Sequence, residues 1–365
     1  MRVLVAGDWH SEIHEEVAAQ ALRDLGHEVR EFRWSPYFSL TKGIFREVRS
    51  LIRKFQNKYI VGPLIVKINS LFIKSAVDFK PDMIFIYRGT HISRKSLERI
   101  KKNLPGCVLI GYNNDDPFSP KGAPYLWSIF LKAIPMYDLI LAYRNANINE
   151  YELHGAQRVE LLRSWFVPKI NHPVQLGKDD ERKYLTDVVF VGHYENDQRL
   201  EYLEEIVKQG IQLRIFGPGW DPILKQSTIL KSLSPIELVW GQDYNKALCG
   251  SKIALCFFSK INRDTYTRRC FEIPATGTLM LSEFSDDLAS LYEEGKEVDY
   301  FRSKIEMIEK IKKYLNDSSV RKTVAEAGLK RVNYDGHDIL SRMRQVVKWA
   351  ESIQSCRELN YCEDN

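Results

Sequence analysis

Short apolar runs that end at or beside glycine, each followed by a stretch of helical spacing, set the rhythm of this chain. Residues 2–7 (RVLVAG) predict a buried first strand, residues 15–25 an amphipathic helix stopped at Gly26, and residues 29–32 a second strand. This is a βαβ beginning, and such units build a parallel sheet with ligands at the carboxyl ends of its strands. Residues 81–87 and 108–112 predict further buried strands, which open into the polar loops Arg88-Gly89-Thr90-His91 and 113–118 (NNDDPF). A strand at 138–143 follows, and 159–162 continues the pattern.

Residues 167–182 (VPKINHPVQLGKDDER) break the rhythm with prolines, a glycine and a charge cluster, and read as a linker. The pattern then restarts with strands at 188–193, 213–217 and 251–257 and a helix over 198–208. Next comes residues 264–287 (DTYTRRCFEIPATGTLMLSEFSDD), where a helix carrying Arg268, Arg269 and Glu272 stops at Gly277 and a buried strand begins directly after it. Such a corner puts guanidinium groups, backbone N–H groups and a carboxylate within reach of one ligand. The first two suit phosphate and the third suits a ribose diol. An ordinary helix–strand joint with solvated charges fits the same residues equally well. From 301 onward the spacing is helical, ending in a helix over 341–353 and a polar tail. The pattern predicts an α/β protein of two Rossmann-like domains facing across a cleft, with C-terminal helices. The expected bounds are a first domain 1–168, a linker 169–182, a second domain 183–338, and a closing helix and tail 339–365.

Composition narrows this only in places. The 365 residues suffice for two ordinary cores. A hydrophobic content of 44% with 28% charged residues is that of a soluble globular protein. A net charge of +5 is too mild to argue for nucleic acid as a partner. The six cysteines are scattered, with no CxxC pair and no histidine at zinc spacing, so reduced thiols are expected. The first residues form a strand rather than a signal peptide, and no apolar run has the length of a membrane span. A cytoplasmic protein is expected.

One stretch departs from that picture. Residues 42–58 (KGIFREVRSLIRKFQNK) hold six Lys or Arg and one Glu, with Ile44, Phe45, Val48, Leu51, Ile52 and Phe55 at helical spacing. The residues favour a surface helix packing this stripe on the sheet. The alternative is a helix lying on the anionic inner membrane surface.

Candidate chemistry lies in the loops. No GxGxxG follows the first strand, so the dinucleotide fingerprint is absent. His10 in that loop is a catalytic or substrate-binding candidate, or a plain polar loop residue. Asp115 and Asp116 can act as general base or bind acceptor hydroxyls, or form an Asp-Pro turn capping the next helix.

The run Arg269-Cys270-Phe271-Glu272-Ile273-Pro274-Ala275-Thr276-Gly277 resembles the R-x-F-E-x-x-A-x-G element of the CgeB-like (spore-maturation-protein-like) glycosyltransferases, part of the GT-B group. Val191-Gly192, residues 216–220 (FGPGW), Gly241 with Tyr244, residues 294–297 (EGKE), Ala327-Gly328, Arg331, His337 and Arg342 agree in order. Residues 112–117 are similar to an Asp-Asp-Pro element of the same family. The resemblance is strong over 186–345 and looser before it. It implies a GT-B glycosyltransferase with a nucleotide-diphosphate sugar held mainly by the second domain. A glycan, lipid-linked or protein acceptor would sit on the first, in cell-surface polysaccharide or glycoconjugate biosynthesis.

By the same resemblance Glu272 binds the donor ribose. Asp264, one methylene shorter than the Glu found eight positions earlier in related retaining enzymes, approaches the donor sugar. Arg268 or Arg269 neutralises the diphosphate, and Thr276-Gly277-Thr278 with Gly192-His193 add backbone donors. Gly217 and Tyr244 complete the donor side, and residues 168–177 supply a hinge. No cofactor and no metal are expected, because adjacent carboxylates such as Asp115 and Asp116 point apart on a strand. A nucleotide-sugar epimerase and a non-catalytic nucleotide-sugar-binding protein are the alternatives on this fold.

Overall fold

The computed structural model describes residues 1–9, 11–39 and 46–363, so His10 and the start of the basic stretch, residues 42–45, lie outside the described residues. The chain forms two compact units, Met1–Arg163 with Ile339–Asn365, and Ser164–Asp338.

In the first unit the strands are β1 (Arg2–Gly7), β2 (Glu28–Arg33), β3 (Met83–Tyr87), β4 (Val108–Asn113), β5 (Leu139–Ala142) and β6 (Val159–Leu161). They form a parallel sheet in the order β2-β1-β3-β4-β5-β6. The helices are α1 (Val17–Asp24), α2 (Arg46–Tyr59), α3 (Pro63–Phe79), α4 (Arg94–Asn103), α5 (Pro124–Ala133) and α6 (Ala146–Leu153). Every residue of β3, β4 and β5 is buried, as expected of parallel strands covered on both faces. Leu4, Ile84, Ile86, Leu109 and Ile140 share a core with Phe72 and Phe79 of α3 and Trp127 and Phe130 of α5.

The first expected helix begins differently. A π-helical turn, Glu12–Glu16, precedes α1 and turns Glu15 fully inward. Helix α2 also departs from the favoured expectation. Its apolar stripe does not pack on the sheet: Val48, Leu51, Ile52 and Phe55 are 52–66% exposed.

The second unit repeats the plan. Strands β7 (Thr186–Val191), β8 (Leu213–Phe216), β9 (Ser251–Cys256), β10 (Leu279–Glu283) and β11 (Asp299–Phe301) are parallel in the order β11-β10-β9-β7-β8. Its helices are α7 (Lys178–Tyr184), α8 (Arg199–Lys208), α9 (Asp221–Leu224), α10 (Gly241–Cys249), α11 (Arg269–Ala275), α12 (Asp286–Ala289), α13 (Lys304–Asn316) and α14 (Ser318–Tyr334). The charge cluster read as linker is helix α7. Asp179, Asp180 and Glu181 occupy its first turn and Arg182 and Lys183 its last, the arrangement that a helix dipole favours.

The final helix, α15 (Ile339–Glu363), packs on α1 and belongs to the first unit. A buried carboxylate explains part of this docking. Asp138 accepts from Lys101 Nζ at 2.7 Å and meets Arg357 Nη2 of α15 at 2.6 Å; a carboxylate this enclosed requires cationic partners. Gln354 Nε2 also donates to Asp82 O at 3.1 Å.

Counted within each unit, both sheets have the order 2-1-3-4-5, with one further strand in the first. The strand order therefore reverses between β1 and β3 and again between β7 and β9. The crevice outside the carboxyl ends at such a reversal is where open α/β sheets bind ligands.

Candidate active site

In a parallel sheet, each helix that follows a strand starts near that strand's carboxyl end. This places the first turns of α10 and α11 at the carboxyl edge of the second sheet. Helix α11 is short because Gly277, in the left-handed region at φ +72°, ends it. Glu272 in its first turn is 3% exposed. Tyr244 Oη, from the first turn of α10, donates to Glu272 Oε2 at 2.6 Å, and Arg268 Nε lies 2.8 Å from Oε1. Burial, and then the charge of Glu272, push the Tyr244 hydroxyl well above its ordinary pKa, so it stays a donor.

Arg269 lies beside the end of β7. A Cβ built on Gly192 would come within 3.3 Å of Arg269 Nη1, so the glycine leaves room for the guanidinium. Arg268 Nη1 and Arg269 Nε are buried with no hydrogen-bond partner among the described residues. Buried donors of this kind call for an acceptor that the chain itself does not supply.

Four of the backbone donors at this edge are already committed. Gly192 N donates to Phe216 O at 2.8 Å and Gly217 N to Glu237 O at 3.1 Å. Thr276 N donates to Glu272 O and Gly277 N to Pro274 O, at 3.2 and 2.9 Å. The Thr276 and Thr278 hydroxyls donate to Ile273 O and Leu248 O. This turn is the carbonyl end of α11, which favours cations over phosphate. The Thr276 and Gly277 amides and the Thr276 and Thr278 hydroxyls thus hold the corner in shape.

His193 Nε2 lies 2.9 Å from Glu195 Oε1, and Arg199 Nη1 donates to His193 O. Burial alone would raise the Glu195 pKa, but hydrogen bonds from His193 and Ser259 and the charge of Arg199 bring it down to about 2. Glu195 Oε2 also accepts from Lys260 N, tying the loop after β7 to the loop after β9. Asp264 is half-buried in that second loop, with its amide donating to Ser259 O at 2.9 Å. Asp287 accepts from Thr265 Oγ1 at 2.6 Å, joining the same loop to α12. Asp286 lies in the first turn of α12.

The first unit equips its own β1–β3 crevice differently. Glu15 Oε1 accepts from Asp8 N and Trp9 N at 2.9 and 3.2 Å. Trp9 and Arg88 both adopt left-handed φ, 58° and 64°, a strained conformation that clusters at functional sites. Arg88 Nη2 pairs with Asp115 Oδ2 at 2.6 Å. Asp116 is 2% exposed, and its Oδ1 accepts from Phe118 N and Asn147 Nδ2, both at 3.0 Å. The two aspartates thus serve different partners. The turn-capping geometry is present at Asp116, whose carboxylate holds the loop through Phe118 N and Asn147.

Sequence reasoning missed Glu15, Arg88 and Glu195. Only Gly7 hints at Glu15: a Cβ there would lie 2.2 Å from its Oε1. Arg88 and Glu195 sit in the loops that follow predicted strands, where a polar side chain carries no periodic signal.

Two doubly wound parallel units with C-terminal helices define a GT-B fold, and the chain is a glycosyltransferase by class. Residues 198–348 match the family described as Glycosyl transferase-like. Among solved structures, sucrose-phosphate synthase from Thermosynechococcus elongatus is similar with a TM-score of 0.69 at 12% identity, over 98% of this chain and 100% of that one. A glycosyltransferase from Rickettsia africae gives a TM-score of 0.66 at 14% identity, over 96% and 98%. Anabaena HepE, solved in complex with UDP and glucose, gives 0.62 at 13%, over 96% and 100%. At these identities the likeness carries the fold. No curated protein sequence matches the chain.

Proposed function

We propose that the protein moves a sugar from a nucleotide-diphosphate sugar to an acceptor hydroxyl, as a member of the CgeB-like branch and without a metal ion at the diphosphate. One observation carries this reading: Glu272, held by Tyr244 and Arg268, beside unpartnered donors of Arg268 and Arg269. A carboxylate has acceptor capacity beyond its two existing contacts and can take both hydroxyls of a ribose. In the displacement, the acceptor oxygen bonds to the anomeric carbon as the bond to the diphosphate oxygen breaks, and the acceptor proton is lost to a base or to solvent. The leaving group gathers negative charge, which fixed guanidinium groups in a shielded site stabilise. The separate engagement of Asp115 by Arg88 and of Asp116 by Phe118 N and Asn147 supports the metal-free reading, since each carboxylate already has a donor of its own.

HepE has also been solved in complex with UDP-glucose, which makes that compound the first donor to try. The test is incubation with a panel of nucleotide sugars and candidate acceptors, with and without EDTA, followed by mass spectrometry. Release of the nucleoside diphosphate that persists in EDTA and falls about 10²–10³-fold in Glu272→Ala is expected. An epimerised nucleotide sugar with no diphosphate released would overturn the proposal.

A further inference from the structure

Helix α2 is amphipathic in the wrong sense for a helix of a water-soluble surface. Its attachments to the rest of the unit are polar. Gln56, 8% exposed, accepts from Leu64 N at 2.9 Å, Asn57 Oδ1 lies 2.9 Å from His91 Nε2, and Arg53 Nη1 donates to Tyr37 O and Ser39 O. Its apolar side chains Val48, Leu51, Ile52, Phe55 and Tyr59 face outward, within about 100° of arc at helical spacing. The patch continues through ring contacts from Phe55 to Tyr59 at 4.7 Å and from Tyr59 to Tyr125 at 5.2 Å. A contiguous exposed apolar patch rimmed by charge marks an interaction surface.

We infer that α2 docks the protein on an anionic lipid bilayer, lying in the interface with its apolar stripe inserted. Charge chooses the occupant. Besides the anchored Arg53, the helix carries Arg49, Lys54 and Lys58 against Glu47 alone, so anionic headgroups complement its flanks. A second copy of the chain on the same stripe would set these cations against themselves. Aromatic rings such as Phe55, Tyr59 and Tyr125 suit the boundary between headgroup and acyl chain.

The contact is peripheral. Among the described residues no single helix is long and apolar enough to cross a membrane, and α2 and α3, which pass together, are bent by 68°. Ile68, Phe72, Ala76 and Phe79 of α3 are buried in the core. This inference is independent of sugar transfer and needs no substrate for its test.

The full chain is sedimented with vesicles of phosphatidylcholine, alone or with about a third phosphatidylglycerol. Binding is expected only to the anionic vesicles, and it should weaken as salt rises. The double variants Leu51→Ser with Phe55→Ser, and Lys54→Glu with Lys58→Glu, should each lower the bound fraction roughly tenfold. Their melting temperatures should be unchanged, because these side chains are exposed. Absence of binding at low salt, or equal binding by both variants, would overturn the inference. So would a wild-type dimer on size exclusion that either variant converts to monomer, since the stripe would then belong to a second copy.

Discussion

The two units share a strand order and therefore a crevice, yet they furnish it by opposite means. Around β7 and β9 the chain clears space with glycine and fills it with charge. Gly192 and Gly217 let the strand ends close on each other, and Arg269 occupies the room left beside Gly192. Around β1 and β3 the chain strains ordinary residues instead. Trp9 and Arg88 hold left-handed conformations, and the buried Glu15 carboxylate pins the amides that lead into the first of them. The difference teaches where binding chemistry is kept ready. Arg268 Nη1 and Arg269 Nε in the second unit, like Arg88 Nε in the first, are buried without a hydrogen-bond partner among the described residues, while the first unit spends a loop carboxylate, Asp116, on its own architecture.

The largest effect should come from removing the carboxylate that organises the second crevice. Glu272→Ala is expected to lower kcat/KM by about 10²–10³-fold and to weaken nucleotide-sugar binding in calorimetry. Full activity with an intact fold would break the comparison at its strongest point.

Glycine substitutions come next. In Gly217→Ala the new Cβ meets the backbone of Gly192, 2.3 Å from its carbonyl oxygen, with φ at +131°. A loss of about 2–4 kcal/mol in chemical denaturation is expected. In Gly7→Ala the new Cβ meets the Glu15 side chain, 2.2 Å from Oε1, rather than backbone and at an ordinary φ, so a smaller loss of about 1–2 kcal/mol is expected. A reversed order would show that the strained crevice is the stiffer one.

Asp116→Ala should cost about 1–3 kcal/mol, because it strands Phe118 N and Asn147. Lost turnover at unchanged melting temperature would instead give Asp116 a chemical role.

A pH effect should follow at His91. Burial, aided by the charge of Arg88, lowers its pKa to about 4 from 6.5. The unfolded chain takes up this proton before the folded one does. The histidine's share of stability is therefore full above about pH 6.5 and lost as pH falls towards about 4. Roughly 1 kcal/mol should disappear between about pH 7 and 5.5, and His91→Gln should flatten that part of the melting-temperature profile. An unflattened profile would remove His91 from the account. Asp115→Ala should be smallest, below about 1 kcal/mol, since its ion pair with Arg88 is partly open to water.

Much of this architecture was legible in the sequence because burial on both faces leaves unbroken apolar runs. Strands β1, β3, β4, β7 and β9 all fall where such runs predict them. The corner from α11 to β10 was legible too, since Gly277 marks the helix end. What escaped depends on partners far along the chain. Periodicity shows that α2 has an apolar face, but not whether protein covers that face. The polar anchors Gln56 and Asn57 gave no periodic signal. The docking of α15 on the first unit rests on Arg357 reaching Asp138, more than two hundred residues earlier, and no local pattern encodes it. Asp116 looked equally like a base and a cap because both roles suit a carboxylate before proline.

That last helix also has a consequence for biosynthesis. The first unit is assembled from residues on both sides of the second, so all of Ser164–Asp338 is translated between its main part and α15. A growing chain can therefore complete the second unit on the ribosome while the first still lacks the helix that covers α1 and neutralises Asp138. Vectorial synthesis then delivers the later unit as the earlier folded product. Until α15 emerges, the first would depend on chaperones or on its own partial collapse, and premature termination after residue 338 would injure the unit made first.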